Sequence, residues 1–431
     1  MFRKSSLLMM AFMLMLSIVL VACGGNGGGG EGSPAPKTDN QTNEQADATV
    51  PEKPASLKMW ANDNEQQLAA LTQIAENYTN ETGIEIEIVP MNFDDQVDNL
   101  SLDGPSGTGP DLFFQPHDRT GDIYLQGLAA ELDIPEDKYN EYYDYAMESF
   151  QFEGIQLGVP SVIETYALFY NKALMPEVPE TMDEFMELAK ELTQGDQYGF
   201  LVDAGNFYFV KPFITGPGGY IFGGEAGNLD SSDIGLNNAG AVEGGELIQS
   251  WVQEGLMPAD INYDNMASLF EAGKAAAVVN GPWAIPGFQT ALGDDLGVAL
   301  LPKFSNGEVP DSFAGNKGWL VSAFSENQYW ATDFALFISN PESSQIYFEG
   351  AGEIPARPDV AEAAVVQDAP YIGTFVEQSQ YAEPMPNIPE MSQVWDPMAG
   401  ALQHILQGED VQDVLDEAVA EIEDQIAIQG Q

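Results

Sequence analysis

Cations, histidine and cysteine are all scarce in this chain, and each shortage removes a class of chemistry. Of 431 residues only 14 are Lys or Arg, against 68 Asp or Glu, for a formal net charge of −54. Nucleic acid and bare anionic membrane surfaces repel such a protein. Self-repulsion of this size is tolerable where salt screens it, which reads as adaptation to a salty or alkaline exterior. The acidity does not read as calcium ligation, because no D-x-[DN]-x-[DN]-G loop is present. The two histidines, His117 and His404, lie far apart and no H-E-x-x-H occurs, so neither a zinc site nor any other metal or cofactor is expected. No G-x-S-x-G elbow is found. The glycine-rich run from Gly104 to Gly109 lacks the Lys-Ser/Thr that would grip a phosphate, and reads as a loop before a strand. No catalytic residue can be named. Glycoside hydrolysis needs only two carboxylates, however, and so acidic a composition leaves a secreted glycoside hydrolase open.

The single cysteine, Cys23, is placed informatively. Arg3 and Lys4 precede an apolar run from Leu7 to Leu20, shorter than the roughly 20 residues a membrane-spanning helix needs. It reads as the core of a secretory signal over residues 1–22. Leu20-Val21-Ala22-Cys23-Gly24 then resembles a bacterial lipobox, in which the cysteine is acylated and becomes the first mature residue. Residues 23–54 follow as the acylated cysteine and a tether of Gly, Asn, Pro, Ala, Thr and acidic residues, with too little apolar surface to offset the entropy of ordering. Contact with the membrane is expected through this anchor alone.

Residues 55–431 are too many for one typical core, so two lobes are expected. Leu57-Lys58-Met59-Trp60 reads as a first strand. Glu65–Tyr78 reads as a helix with Leu68, Leu71, Ile74, Ala75 and Tyr78 on one face and Gly83 as its stop. Ile84, Ile86 and Ile88 alternate with glutamates, as in a half-buried strand, and Asp111–Phe114 is a short apolar strand. Thr181-x-x-Glu184 is a capping box, and Val411 to Ile426 carries the period of a closing amphipathic helix. The alternation predicts an α/β fold with parallel sheet.

Aromatic residues gather at element ends. Trp283 follows Asn280-Gly281-Pro282, Trp395 follows a stretch with two prolines, and Tyr208 and Phe209 read as loop residues beside Asn206. Flat rings stack on the C–H faces of sugars while carboxylates and amides bond the hydroxyls, so this inventory suits a carbohydrate cleft.

Seven segments, in order along the chain, resemble maltose/maltodextrin-binding proteins, the extracellular solute-binding lipoproteins of ABC sugar importers. They are Gly109–Arg119, Gln126–Leu132, Glu164 with Tyr170-Asn171-Lys172, Gly218-Gly219-Tyr220, Asn238–Ala241, Asn280–Ala284 and Met385–Pro389. The resemblance implies a two-lobed periplasmic-binding-protein fold of type II, with a ligand cleft at a hinge crossed three times. The lobes would comprise 55–163 with 318–366 and 164–317 with 367–431. It implies a monomer, anchored outside the cytoplasmic membrane, that captures maltodextrin-type oligosaccharides, linear or cyclic, for ABC permease subunits. A different oligosaccharide is the alternative ligand. Asp118, Arg119 and Glu164 would bond hydroxyls, Tyr208, Trp283 and Trp395 would stack on sugar rings, and Phe209 and Tyr263 would lie beside them. Asn64 and Glu65 stand where the family carries an acidic–basic pair, Gln115 and Ile285 where it carries tryptophans. Trp60 and Trp319 are read equally as replacement platforms or as core.

Replacing Cys23 with serine (Cys23→Ser) is expected to yield protein without acyl chains, either unprocessed or released to the medium. Metabolic labelling with a radioactive fatty acid tests this, and label retained by the variant would refute the anchor.

Overall fold

The computed structural model describes residues 50–225 and 228–429. The signal, Cys23 and most of the tether lie outside these. Pro51 and Glu52 already dock on the protein body, where their carbonyls accept from Trp330 Nε1 at 3.3 and 3.1 Å.

Three strands open the first sheet. Ser56–Ala61 pairs in parallel with Glu85–Pro90 on one side and Leu112–Pro116 on the other. Between the first two runs the helix Glu65–Thr82. Asn64 Oδ1 accepts from the amides of Gln66 and Gln67 at its start, and Gly83, at φ 79°, stops it. The sheet then departs from the expected parallel pattern. Phe313–Val321 joins antiparallel to Leu112–Pro116, Gly158–Glu164 antiparallel to that, and Ile354–Pro355 closes the edge. These added strands are connectors running between two cores, not products of strand–helix–strand crossovers, so no rule holds them parallel. A second sheet, Ala277–Asn280, Ala167–Asn171 and Leu296–Ala299, is antiparallel throughout.

Strand alternation divides the first sheet's side chains between two faces. Leu57, Met59, Ala61, Leu112, Phe114, Trp319 and Val321 pack into one cluster, and Trp60, Phe113 and Leu320 into the other. Trp60 and Trp319 are therefore core residues, 3% and 1% exposed, not stacking platforms. A separate, larger core surrounds the second sheet. The chain leaves the first sheet at Glu164 and enters the second at Ala167. The strand Phe313–Val321 has Phe313 in the larger core and Trp319 in the first.

Two segments read as loops are helical. Phe93–Ser106 absorbs Gly104 and Pro105, and Gly107, at φ 75°, ends it. Gly104 serves a close approach: a Cβ there would lie 2.2 Å from the Phe324 ring. Tyr208 and Phe209 lie in the first turn of a helix, Phe207–Thr215, capped by Asn206 Oδ1 on the Tyr208 amide. Seven of its nine residues are buried, so it has no polar stripe to betray it.

Just before that helix, burial pushes the Asp203 carboxyl up to about 6, with Asp264 adding to the shift and a hydrogen bond from Asn206 opposing it. The folded chain thus holds a proton that unfolded chain, with an aspartate near its usual value, has released between about pH 4 and 6. Stability falls as pH rises through that window, by about 3 kcal/mol in all. Asp203→Asn is expected to melt above the parent at pH 7, with the gap narrowing towards pH 4. A gap that does not vary with pH would refute the assignment.

Candidate functional site

Where the two cores meet, the ends of several elements bring rings and carboxylates together. The strand Leu112–Pro116 runs into a single 3-10 turn, His117–Arg119, which carries Asp118 inward. Asp118 is 1% exposed. Its Oδ2 accepts from Trp395 Nε1 at 2.9 Å, while its Oδ1 is buried without a hydrogen-bond partner. Trp395 opens the helix Trp395–Leu406, and a 3-10 segment, Pro389–Gln393, follows extended Ile388 and leads towards it. His117 seats the turn: its Nδ1 accepts from the Asn316 amide at 3.1 Å, and burial lowers its pKa, keeping it neutral.

The aromatic residues form a strip. Trp283 and Tyr208 have ring centroids 6.4 Å apart, Tyr208 and Phe313 5.9 Å, and Phe313 and Trp395 6.0 Å. Phe313 is fully buried and serves as its floor. Phe209 and Tyr263 stack beside it at 6.1 Å. Trp283 sits in the 3-10 turn Pro282–Ala284 and folds over Gly281, where a Cβ would be 2.1 Å from its ring. Its Nε1 donates to Tyr263 Oη at 3.1 Å. The Tyr208 hydroxyl is buried with no hydrogen-bond partner, and that burial, with Glu164 nearby, raises its pKa far beyond titration. Two buried polar atoms without partners, on Asp118 and Tyr208, thus flank a run of rings.

Glu164 ends the strand Gly158–Glu164 and pairs with Lys317 at 2.7 Å; Lys317 also pairs with Glu353 at 3.0 Å. Burial raises the Glu164 pKa and Lys317 restrains it. Burial also works against the Lys317 ammonium, but the two carboxylates outweigh it and hold its pKa above the ordinary lysine range. Glu353 Oε2 accepts from Gln67 Nε2 at 2.8 Å, and Gln67 Oε1 accepts from Asn62 Nδ2 at 3.0 Å.

Of the residues expected at the site, Asp118, Glu164, Tyr208, Phe209, Tyr263, Trp283 and Trp395 are brought together. Arg119 is turned aside, paired with Asp94 and packed over the Phe93 ring at 5.7 Å. Asn64 is engaged as a helix cap, accepting from the Gln66 and Gln67 amides, and Glu65 is exposed. Asn62 enters the network instead. Lys317, Glu353 and Phe313 join the group without being among the expected ligand contacts. One signal was available: a lysine within the apolar run Phe313–Val321, in a chain with so few cations, is conspicuous. Among the described residues no three His, Cys, Asp or Glu side chains gather as a metal site, and no helix is long and apolar enough to cross a membrane.

Two lobes, one on a mixed sheet and one on an antiparallel sheet, with rings and carboxylates gathered between their cores, define an α/β solute receptor. Residues 73–374 match the family described as bacterial extracellular solute-binding protein, and the chain belongs to it. It is a binding protein, not an enzyme. It is 35% identical to the galactooligosaccharide-binding protein of Bacillus subtilis (strain 168), over 89% of this chain and 92% of that one. It is 28% identical to a maltooligosaccharide ABC transporter solute-binding lipoprotein of Streptococcus pneumoniae (strain ATCC BAA-255 / R6), over 83% and 86%. Among solved structures it is similar to a cyclo/maltodextrin-binding protein complexed with maltotetraose, at TM-score 0.71 and 37% identity, over 87% of this chain and 98% of that one. It is also similar to an extracellular solute-binding protein from Staphylococcus aureus in complex with maltose, at TM-score 0.66 and 40% identity, over 88% and 99%.

Proposed function

We propose that this chain is a receptor, lipid-anchored through Cys23 outside the cytoplasmic membrane, that captures maltodextrin-type oligosaccharides, linear or cyclic, and presents them to an ABC permease. The observation that carries this reading is the aromatic strip from Trp283 through Tyr208 and Phe313 to Trp395, flanked by Asp118 and Glu164. A glucan chain offers successive ring faces to such a strip and hydroxyl donors to its carboxylates. The two solved structures named for maltotetraose and maltose support the ligand class, and the Streptococcus pneumoniae lipoprotein supports both the anchor and the transporter.

In this reading Trp283 and Trp395 stack, the free Asp118 Oδ1 and the Tyr208 hydroxyl bond sugar hydroxyls, and Glu164 does so at the hinge. The lobes are 55–163 with 318–366 and 164–317 with 367–431. Ligand contacts on both lobes favour the closed arrangement. The Bacillus subtilis relative favours a second reading, in which galacto-oligosaccharides are the ligand.

Calorimetric titration separates the two. Maltotriose is expected to bind and to perturb tryptophan fluorescence, and Trp283→Ala, Trp395→Ala and Asp118→Ala each to weaken binding by about 1–3 kcal/mol. Tighter binding of a galactotriose would transfer the ligand to the second reading. Stability losses of about 3–5 kcal/mol with unchanged affinity would instead make the rings ordinary core.

A further inference from the structure

Lys317 lies beyond the hydrogen-bonding and stacking roles assigned above, yet it touches both. Its side chain is 7% exposed, and its ammonium lies 4.6 Å from the Trp283 ring centroid as well as against Glu164 and Glu353. Alternation along its own strand puts Lys317 on the face of Phe313 and Gly315, while the pairing with Gly158–Glu164 shifts by one residue between Lys317 and Gly318, leaving Ser161 of that neighbouring strand unpaired. The approach is close enough that a Cβ on Gly318 would lie 2.3 Å from the Val159 carbonyl oxygen.

Each partner of the ammonium is itself held. Glu353 is fully buried, and Gln67 donates to its second oxygen. Trp283 is seated on Gly281 and tied to Tyr263. An ammonium against an aromatic face is attracted by the ring's quadrupole, the more so when water is excluded. A lysine that only neutralised two carboxylates would not have to meet an indole; this one meets the ring assigned to stacking.

We propose that Lys317 is a positioning residue for ligand capture: held between Glu164 and Glu353, its ammonium fixes the Trp283 indole, so that stacking on Trp283 and hydrogen bonding to Glu164 act as one unit. The inference rests on reading the cleft as an oligosaccharide site. A single Lys317→Met exchange leaves two buried carboxylates facing each other and risks unfolding. The test therefore uses two charge-compensated variants, Lys317→Met/Glu353→Gln and Lys317→Gln/Glu353→Gln, each also made with Trp283→Phe. Melting curves select those that fold.

Maltotriose titrations are expected to show about tenfold weaker binding in a folded compensated variant when Trp283 is present. With phenylalanine at 283 the same exchange is expected to change affinity by less than about twofold, since coupled residues do not add. Without sugar, the Trp283 emission, taken as the difference from the matching Trp283→Phe protein, is expected to shift. A compensated variant that binds as the parent does, or one that loses equally in both backgrounds, overturns the proposal. If the parent binds no maltotriose, the oligosaccharide reading falls by itself. The sugar-free Trp283 emission then decides, and a spectrum unchanged by the exchange overturns the positioning role.

Discussion

Among the described residues three cations are almost wholly buried, and each is clamped by two carboxylates. Lys211 holds Asp311 and Glu383, Lys317 holds Glu164 and Glu353, and Arg357 holds Glu141 and Asp359. Taking an ammonium or guanidinium out of water costs several kcal/mol, offset only when the geometry is good and other hydrogen bonds are met. The clamps meet that condition: Lys211 also donates to the Asp311 carbonyl, and Asp311 accepts from Thr215. Well-packed apolar residues would serve stability about as well. What the clamps add is placement. Lys211 on the helix Phe207–Thr215 fixes the segment that leads into the strand Phe313–Val321, and Lys317 fixes that strand to the end of Gly158–Glu164. With so few cations available, their use at junctions between segments distant in sequence governs how the two cores are joined.

The strand Phe313–Val321 carries most of the consequences. By alternation Phe313, Gly315 and Lys317 share one face. Phe313 supplies the floor of the aromatic strip, and Lys317 supplies the ammonium at its Trp283 end. Gly315 leaves room for Glu164 and Met385, whose atoms would stand 3.3 and 3.0 Å from a Cβ there. Beyond the slip at Gly318 the same strand gives Trp319 and Val321 to the first core. One strand therefore sets the strip's floor, its charge and the packing of the first sheet. Any shift of that strand moves all three together.

What could be read from the sequence was local. The helix Glu65–Thr82 was legible because its cap, its apolar period and its terminal glycine agree, and Thr181 caps Met182–Leu192 in the same way. Trp283, Trp395, Tyr208 and Phe209 stood out by their places near element ends, whereas Asp118, Glu164 and Tyr263 came through the resemblance, because short ordered segments carry it. Phe207–Thr215 was not legible, since a helix buried nearly all round has no period to detect. Gly104 and Pro105 looked like a loop because the reason for the glycine, the Phe324 ring, lies far along the chain. The Lys317 clamp unites residues from three separate stretches, and no spacing rule reaches across them. Asn64 shows the reverse: it stands where the family carries one of an acidic–basic pair, and its side-chain oxygen caps its own helix.

The chemistry of the cleft narrows its ligand from two directions at once. Buried carboxylate oxygens repel anions and are poorly satisfied by apolar surface, so the Asp118 Oδ1 demands a donor. The rings demand the reverse, a flat apolar face to exclude water. An alcohol or a peptide chain meets the first requirement without the second, and a hydrocarbon the second without the first. A pyranose meets both, because its C–H bonds project from the ring faces while its hydroxyls project from the edge. Arg119, on the same turn as Asp118, is occupied by Asp94 and so is not a free counter-charge for an anionic sugar. Lys317 is likewise outnumbered by the two carboxylates that hold it. An uncharged sugar is therefore the ligand for which neither the strip nor the carboxylates are left with an unmet cost.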